Sequence, residues 1–430
     1  MSQQDLHRRH QAIMPAWLGL YYREPIALVS GNGRHVTDAD GNTYLDFFGG
    51  ILTTMTGYAI PEVVEAIQDQ AAKMLHTSTL YLIEPMIELA ERLGSLSGIA
   101  DARVFFTTSG TEANDAALLL ATSYRRSNQV LAVRNSYHGR SFSSLAVTAN
   151  PSYASTSLSP FQVFYILGGS RLRGPLAGLS DHEYIERGVA DLNDLLGTAV
   201  SGDVAALIAE PIQGVGGFSI APDGYFGAIK EVLDAHKIIY ISDEVQTGWG
   251  RTGEHFWGYE AHGIVPDMIT FAKGLGNGLA MAGVIGRAEI IDSMVGTSIS
   301  TFGGAPLAAR GALANLDYLL SHHLQENASK VGRHMMNRLI AETSNNPIVA
   351  EVRGKGLMIG IEVCTPSSVE PAAAIAAKVL EEAKALGLLV GKGGIAANVL
   401  RIAPPLSITI EEADQGVDLL IEALRRSANI

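Results

Sequence analysis

The chain has 430 residues, more than one ordinary core accommodates, so two or more domains are expected. Hydrophobic residues are 47% and charged residues 17%, which suits a well-buried globular enzyme. The net charge is −13 and no basic cluster rises above Arg125-Arg126 or Arg425-Arg426, which argues against a nucleic-acid partner.

The N-terminal stretch Met1–His10 has no apolar segment and is not expected to be a secretory signal. No run approaches the ~18 apolar residues of a membrane span. Cys364, the single cysteine, excludes an intrachain disulfide and a thiolate metal cluster and fits a reducing, cytoplasmic compartment. The twelve histidines are scattered without zinc spacing, so no metal site is expected.

Residues 25–50 read as a small strand meander. Pro25-Ile26-Ala27-Leu28-Val29 is a strand, with turns at Gly31-Asn32-Gly33 and at Asp38-Ala39-Asp40-Gly41-Asn42. From Pro61 the helical period places Val63, Val64, Ile67, Ala71 and Met74 on one face. Strands then alternate with helices: Arg103–Thr107, Val130–Arg134, Val204–Ala209, Ile238–Ser242, Met268–Ala272 and Ala282–Gly286, with a helix from Thr111 to about Tyr124. Such alternation predicts an α/β fold with a mainly parallel sheet between helices.

Residues 150–182, rich in Ser, Pro and Gly, read as a long functional loop. A long helical stretch follows Ala308. Beyond about residue 320 come helices near 324–344, 372–386 and 411–426, and strands at Ile348–Arg353, Leu357–Val363 and Val399–Ile402. The expected division is a large domain over 61–315 and a smaller α+β domain built from both chain ends, 1–60 and 316–430.

The chemistry-bearing residues lie at strand ends. One apolar run closes in Asp243, and about thirty residues on another closes in Ala272-Lys273-Gly274. Strand, acid, strand, lysine is the order that pyridoxal phosphate chemistry needs: an amine for the Schiff base and a carboxylate for the pyridinium nitrogen. Taken singly, either residue reads as a solvated surface group or a cap. Ser109-Gly110-Thr111-Glu112 has capping-box spacing. The free N–H groups at Gly110 and Thr111, with the helix dipole, would cradle a phosphate. Tyr137, after the next strand, would stack on a pyridine ring, and Gln246 would hydrogen-bond its hydroxylate. Thr301-Phe302-Gly303-Gly304 is a small-residue loop suited to a second phosphate contact.

Together these motifs resemble the class III (ω, subgroup II) aminotransferases of fold type I. The nearest branches are the alanine–glyoxylate aminotransferase 2-like and 4-aminobutyrate aminotransferase proteins. The resemblance runs from about Gly31 to about Leu420. It includes Asp38-Ala39-Asp40-Gly41, Tyr137-His138-Gly139-Arg140, Glu210-Pro211-Ile212-Gln213-Gly214, Asp243-Glu244-Val245-Gln246, Lys273-Gly274 and Leu400-Arg401-Ile402-Ala403-Pro404-Pro405. It implies pyridoxal 5'-phosphate and small-molecule amino acid and 2-oxo acid substrates. It also implies a homodimer, with pairing into a tetramer left open, whose sites lie at the interface. Lys273 is then the Schiff-base lysine and acid/base, and Asp243 the pyridinium partner. Gly110 and Thr111 bind the phosphate from one chain and Thr301 from the other. Tyr137 and His138 border the ring, and Glu210 orients the site.

Strand alternation puts Arg401 opposite Leu400 and Ile402, and a buried guanidinium there calls for a carboxylate. In the resembling family this arginine binds the α-carboxylate. Where 4-aminobutyrate and ornithine aminotransferases carry a glutamate that neutralises it, this chain has Val215, in Gly214-Val215-Gly216-Gly217. That leans toward small 2-oxo acids such as glyoxylate or pyruvate. Arg140 and Ile51 match distal-carboxylate and pocket residues of the 4-aminobutyrate branch and support 4-aminobutyrate–2-oxoglutarate transamination as the alternative. A decarboxylase or aminomutase reaction on the same fold is a weaker one.

Overall fold

The computed structural model describes residues 2–428. A helix, Gln3–Ile13, opens them. Ser2 caps it by accepting the Asp5 N–H, and none of its residues is buried. The meander comes next, shifted from its expected place. Strand β1 runs Leu28–Asn32, and Asn32 pairs with His35 at the head of β2 (His35–Asp38). Pro25 has no N–H for a ladder, and Gly33 at φ 56° makes the turn. Strand β3 (Thr43–Asp46) returns antiparallel to β2, across a loop in which the Asp38 carboxylate accepts the Asp40 and Asn42 N–H groups.

Helices Pro61–Lys73 and Glu84–Leu96 each carry a proline in the first turn, where no N–H is needed. Of the face expected on the first, only Val63 is buried; Val64 and Met74 are exposed, in line with the exposed Leu75, Leu80, Tyr81 and Leu82 beyond.

The central sheet follows. Its strands are β4 (Ala102–Thr107), β5 (Gln129–Val133), β6 (Gln162–Ile166), β7 (Val204–Ala209), then, after a small hairpin of β8 (Ile212–Gln213) and β9 (Ser219–Ile220), β10 (Ile239–Asp243), β11 (Met268–Phe271) and β12 (Ala282–Arg287). Their order is β4-β12-β11-β10-β7-β5-β6, parallel throughout except β12, which is antiparallel to both neighbours. Alternation splits the strands between two cores. Val130, Ala132, Ala206, Ile208 and Ile241 meet the helix Gly110–Arg125. Leu131, Val133, Leu207 and Tyr240 meet the helices Asp181–Thr198 and Tyr225–Ala235. With both faces buried, β7, β10 and β11 read as continuous apolar runs.

The stretch expected as one long loop, 150–182, contains β6. It is an edge strand with a single ladder, and its Ser- and Pro-rich flanks hide the short Gln-Val-Phe-Tyr-Ile run.

Toward the C-terminus, β13 (Val349–Lys355), β14 (Met358–Val363), β15 (Leu388–Leu389), β16 (Gly391–Gly393) and β17 (Val399–Ile402) complete the strands. An antiparallel sheet has the order β13-β14-β17-β16. Strand β15 instead pairs parallel with β3 and ties the two chain ends together. The helix Pro306–Ser321 runs unbroken through position 315. One core continues from Leu45 and Phe47 to Leu420 and Leu424. Among the described residues no helix is long and apolar enough to cross a membrane.

Candidate functional site

The C-terminal ends of β4, β5, β7, β10 and β11 open on one rim, the usual ligand position of a parallel sheet. A cavity of about 390 Å³ lies there. Gly110, Thr111, Tyr137, His138, Glu210, Asp243, Gln246 and Lys273 all line it. Of the expected cofactor residues, Thr301 does not.

Asp243 closes β10 and is 3% exposed. Its Oδ2 accepts from Asn114 Nδ2 at 2.8 Å and lies 2.7 Å from His138 Nδ1, and its Oδ1 accepts the Val245 N–H at 3.1 Å. A carboxylate has about four acceptor positions, so capacity remains for one further N–H. Lys273 follows β11 after one residue, and its backbone is left-handed (φ 46°), a conformation held only by its surroundings. Burial pushes the Lys273 amine below the usual lysine range; Asp243 opposes this, Arg401 adds to it and Glu210 opposes it.

The anion end is the start of the helix Gly110–Arg125. Ser109 Oγ accepts the Glu112 N–H at 3.2 Å, which leaves the Gly110 and Thr111 N–H groups without intrahelical acceptors. The expected capping box is not completed. Glu112 accepts from the Thr108 N–H and hydroxyl, both at 2.9 Å, and from Ser300 Oγ at 2.7 Å. Gly139 (φ 137°) has to be glycine, because a Cβ would lie 2.7 Å from Thr111 Oγ1.

Glu210, just past β7, joins the two sides of the cavity. It accepts the Tyr137 N–H at 2.9 Å and the Gly214 N–H at 2.8 Å. Burial raises its pKa to about 7, against the pull of His138 and with the push of Asp243. Burial also raises the Tyr137 hydroxyl, and that ring meets Tyr153 edge-on at 4.9 Å. Gly214 admits the Gln246 amide, which a Cβ would meet at 2.3 Å.

The expected substrate residues lie outside the cavity lining. Arg401 is on β17, flanked by β14 and β16 and therefore not on an edge, and is 4% exposed. Among the described residues it makes no ion pair. Its Nη1 donates to the Gly214 carbonyl at 3.2 Å and its Nε has no partner. Arg140 is exposed beside Tyr137. Ile51 is 43% exposed in a left-handed turn, Gly49 to Leu52, a rare conformation for a β-branched residue. The carbonyl of Thr301 accepts from, or faces, His76 Nε2 at 2.8 Å, and Thr301 itself is exposed.

Sequence reasoning missed Asn114, Thr53, Val245 and Met281, which also line the cavity. Asn114 had one signal: it lies four residues after Gly110 and so on the same helix face.

Pyridoxal phosphate fits what is present. Among the described residues Asn114 Oδ1, His138 Nε2 and Gln246 Oε1 are buried without partners, all on residues that line the cavity. A carboxylate with spare capacity, an amine and a helix N-terminus face the same space, matching a ring nitrogen, a carbonyl carbon and a phosphate.

A family model described as aminotransferase class-III matches residues 21–424. Alanine–glyoxylate aminotransferase 2 homolog 2, mitochondrial, of Arabidopsis thaliana is 36% identical over 422 residues, 97% of this chain and 86% of that one. An acetylornithine aminotransferase of Caldanaerobacter subterraneus subsp. tengcongensis is 37% identical over 412 residues, 94% of this chain and 96% of that one. An amine transaminase from an uncultivated Pseudomonas species, solved in its PLP-bound form, superimposes with a TM-score of 0.88 at 30% identity, covering 93% and 95% of the two chains.

Proposed function

The chain belongs to the class-III aminotransferases, fold type I enzymes that use pyridoxal phosphate, and from that premise we propose that it moves an amino group from a small or ω-amino acid to a 2-oxo acid such as glyoxylate or pyruvate in ping-pong half-reactions. The cofactor, when bound, supplies an electron sink beside the substrate Cα.

The chain's own residues do the rest. Lys273 would hold the cofactor through Nζ and, once displaced by the substrate amine, carry a proton to and from Cα; its lowered pKa favours the neutral amine that task needs. Asp243, fixed by Asn114 and His138, would keep the ring nitrogen protonated. The Gly110 and Thr111 N–H groups would bind the phosphate, Tyr137 and His138 would border the ring, and Gln246 would hydrogen-bond its oxygen. Glu210 would orient Tyr137 against the Gly214 loop.

The observation that carries the substrate choice is Arg401, buried and, among the described residues, without an acid, beside a loop whose position 215 is a valine. A guanidinium so placed would take a carboxylate next to the reacting carbon. The alternative, 4-aminobutyrate with 2-oxoglutarate, rests on the exposed Arg140 and on Ile51 at the turn that precedes Thr53. A donor and acceptor panel decides between them: alanine with glyoxylate or pyruvate, against 4-aminobutyrate with 2-oxoglutarate.

The same reading includes a homodimer. Leu80, Leu82 (93% exposed), Val295 and Phe302 are exposed apolar side chains of the kind an interface covers, and Thr301, next to Phe302, would reach the partner's phosphate. Sedimentation of the holoenzyme tests it. The division into a large domain over 61–315 and a smaller one from both ends, and a reducing cytoplasmic compartment, belong to this proposal too.

A further inference from the structure

Resting on the reading of Arg401 as the carboxylate clamp, we infer that Phe48 and Phe218 set that clamp: two aromatic faces hold the guanidinium in place of an acid and thereby select substrates with a carboxylate beside the reacting carbon. A buried cation needs compensation. For Arg401 the described residues offer one neutral carbonyl, at 3.2 Å, and no carboxylate. What they do offer is π-density. The guanidinium carbon lies 5.0 Å from the Phe48 ring centroid and 5.6 Å from that of Phe218. A ring face attracts a cation without taking up any of its N–H groups. An acid at this place would occupy the same fork that a substrate carboxylate requires. The rings leave Nε without a partner among the described residues.

The rings are themselves fixed. Phe48 lies against Gly391, where a Cβ would come within 2.2 Å of its ring. Its ring also stacks on Tyr21, at 5.6 Å and 26°. The Tyr21 hydroxyl bonds the Lys392 backbone, accepting its N–H at 2.5 Å and donating to its carbonyl at 3.0 Å. Phe218 is fully buried and left-handed (φ 53°). On β16, Gly393 leaves the guanidinium its room, since a Cβ there would lie 2.9 Å from Arg401 Nε. Phe48 and Phe218 are therefore positioning residues that act through Arg401.

If the rings only filled space, leucine would serve nearly as well. The test uses the holoenzyme variants Phe48→Leu, Phe218→Leu, Phe48→Tyr and Arg401→Ala. The readouts are KM and kcat for pyruvate with a fixed amino donor, and the inhibition constant of propionate, a carboxylate with no amine. Each leucine variant is expected to raise both KM and the propionate constant about 5- to 30-fold, the range of a desolvated cation–π contact, with kcat within about threefold. Phe48→Tyr, which keeps the ring, is expected to restore both constants. If Phe48→Leu loses the cofactor absorbance, Phe218→Leu carries the same test from the opposite face. Leucine variants that leave both constants within about twofold, while Arg401→Ala raises them, overturn the aromatic clamp and leave the carboxylate reading standing. An unchanged Arg401→Ala overturns both.

Discussion

Asp243→Asn isolates the charge at the floor of the cavity. The change is isosteric, and the surroundings fix its consequences. Oδ2 takes two contacts, from Asn114 Nδ2 at 2.8 Å and His138 Nδ1 at 2.7 Å, while Oδ1 takes one, from the Val245 N–H at 3.1 Å. An asparagine amide has a single oxygen. Turned to keep the Asn114 and His138 contacts, it sets its NH₂ against the Val245 N–H and costs about 1–3 kcal/mol of stability. The larger effect is on the reaction. No anion would then face the ring nitrogen, and truncating a buried charged partner costs about 2–5 kcal/mol, roughly 30- to 5,000-fold in rate. The assay is stopped-flow absorbance of the half-reaction with alanine, at cofactor concentrations that saturate both proteins. A half-reaction within about threefold of wild type, at full occupancy, refutes the role of Asp243.

Borohydride reduction of the holoenzyme followed by peptide mapping should label Lys273, and Lys273→Ala should retain cofactor yet lose transamination by orders of magnitude; label on another lysine overturns that assignment. Arg401→Ala should raise KM for glyoxylate or pyruvate by about 2–5 kcal/mol in binding terms. Val215→Glu should lower kcat/KM for alanine and raise it for 4-aminobutyrate. A wild type that already prefers 4-aminobutyrate with 2-oxoglutarate, unmoved by that substitution, makes Arg140 the better guide. His262 tests burial away from the cavity: its pKa is lowered from 6.5 to about 4, chiefly by burial. A base with a depressed folded pKa contributes stability that is present above the unfolded value and is lost as pH falls toward the folded one. Urea unfolding should therefore show about 2 kcal/mol lost between pH 8 and pH 5 through this residue, and His262→Phe should lack that loss. Identical pH dependence in the two proteins would sink the argument.

Much of the site could be read from the sequence because its residues follow strands. A strand buried on both faces is a continuous apolar run, so its end is visible, and residues just past it share one rim of a parallel sheet. That logic found Tyr137, Asp243 and Lys273, and the helix start at Gly110; Glu210 came only with the family resemblance. It failed where the signal was weak. Strand β6 has one ladder and sits among Ser and Pro, and β1 begins three residues later than the pattern suggested.

By itself the sequence determined the α/β alternation and the order of acid and lysine, because each depends on local periodicity or on residue type at a strand end, and the cofactor chemistry through the family resemblance of the motifs taken together. Only the tertiary structure decided which side chains meet. Asn114 reaches Asp243 across 129 positions, and Arg401 reaches Gly214 across 187. Arg401 reads from its strand as either a wet edge residue or a buried clamp. The pairing of β17 between β14 and β16 made it buried, and the packing set the rings of Phe48 and Phe218, distant in sequence, against it. Local pattern sets which way a side chain points on its own element; the partner across the core is set by how the elements pack, which no window of the sequence contains.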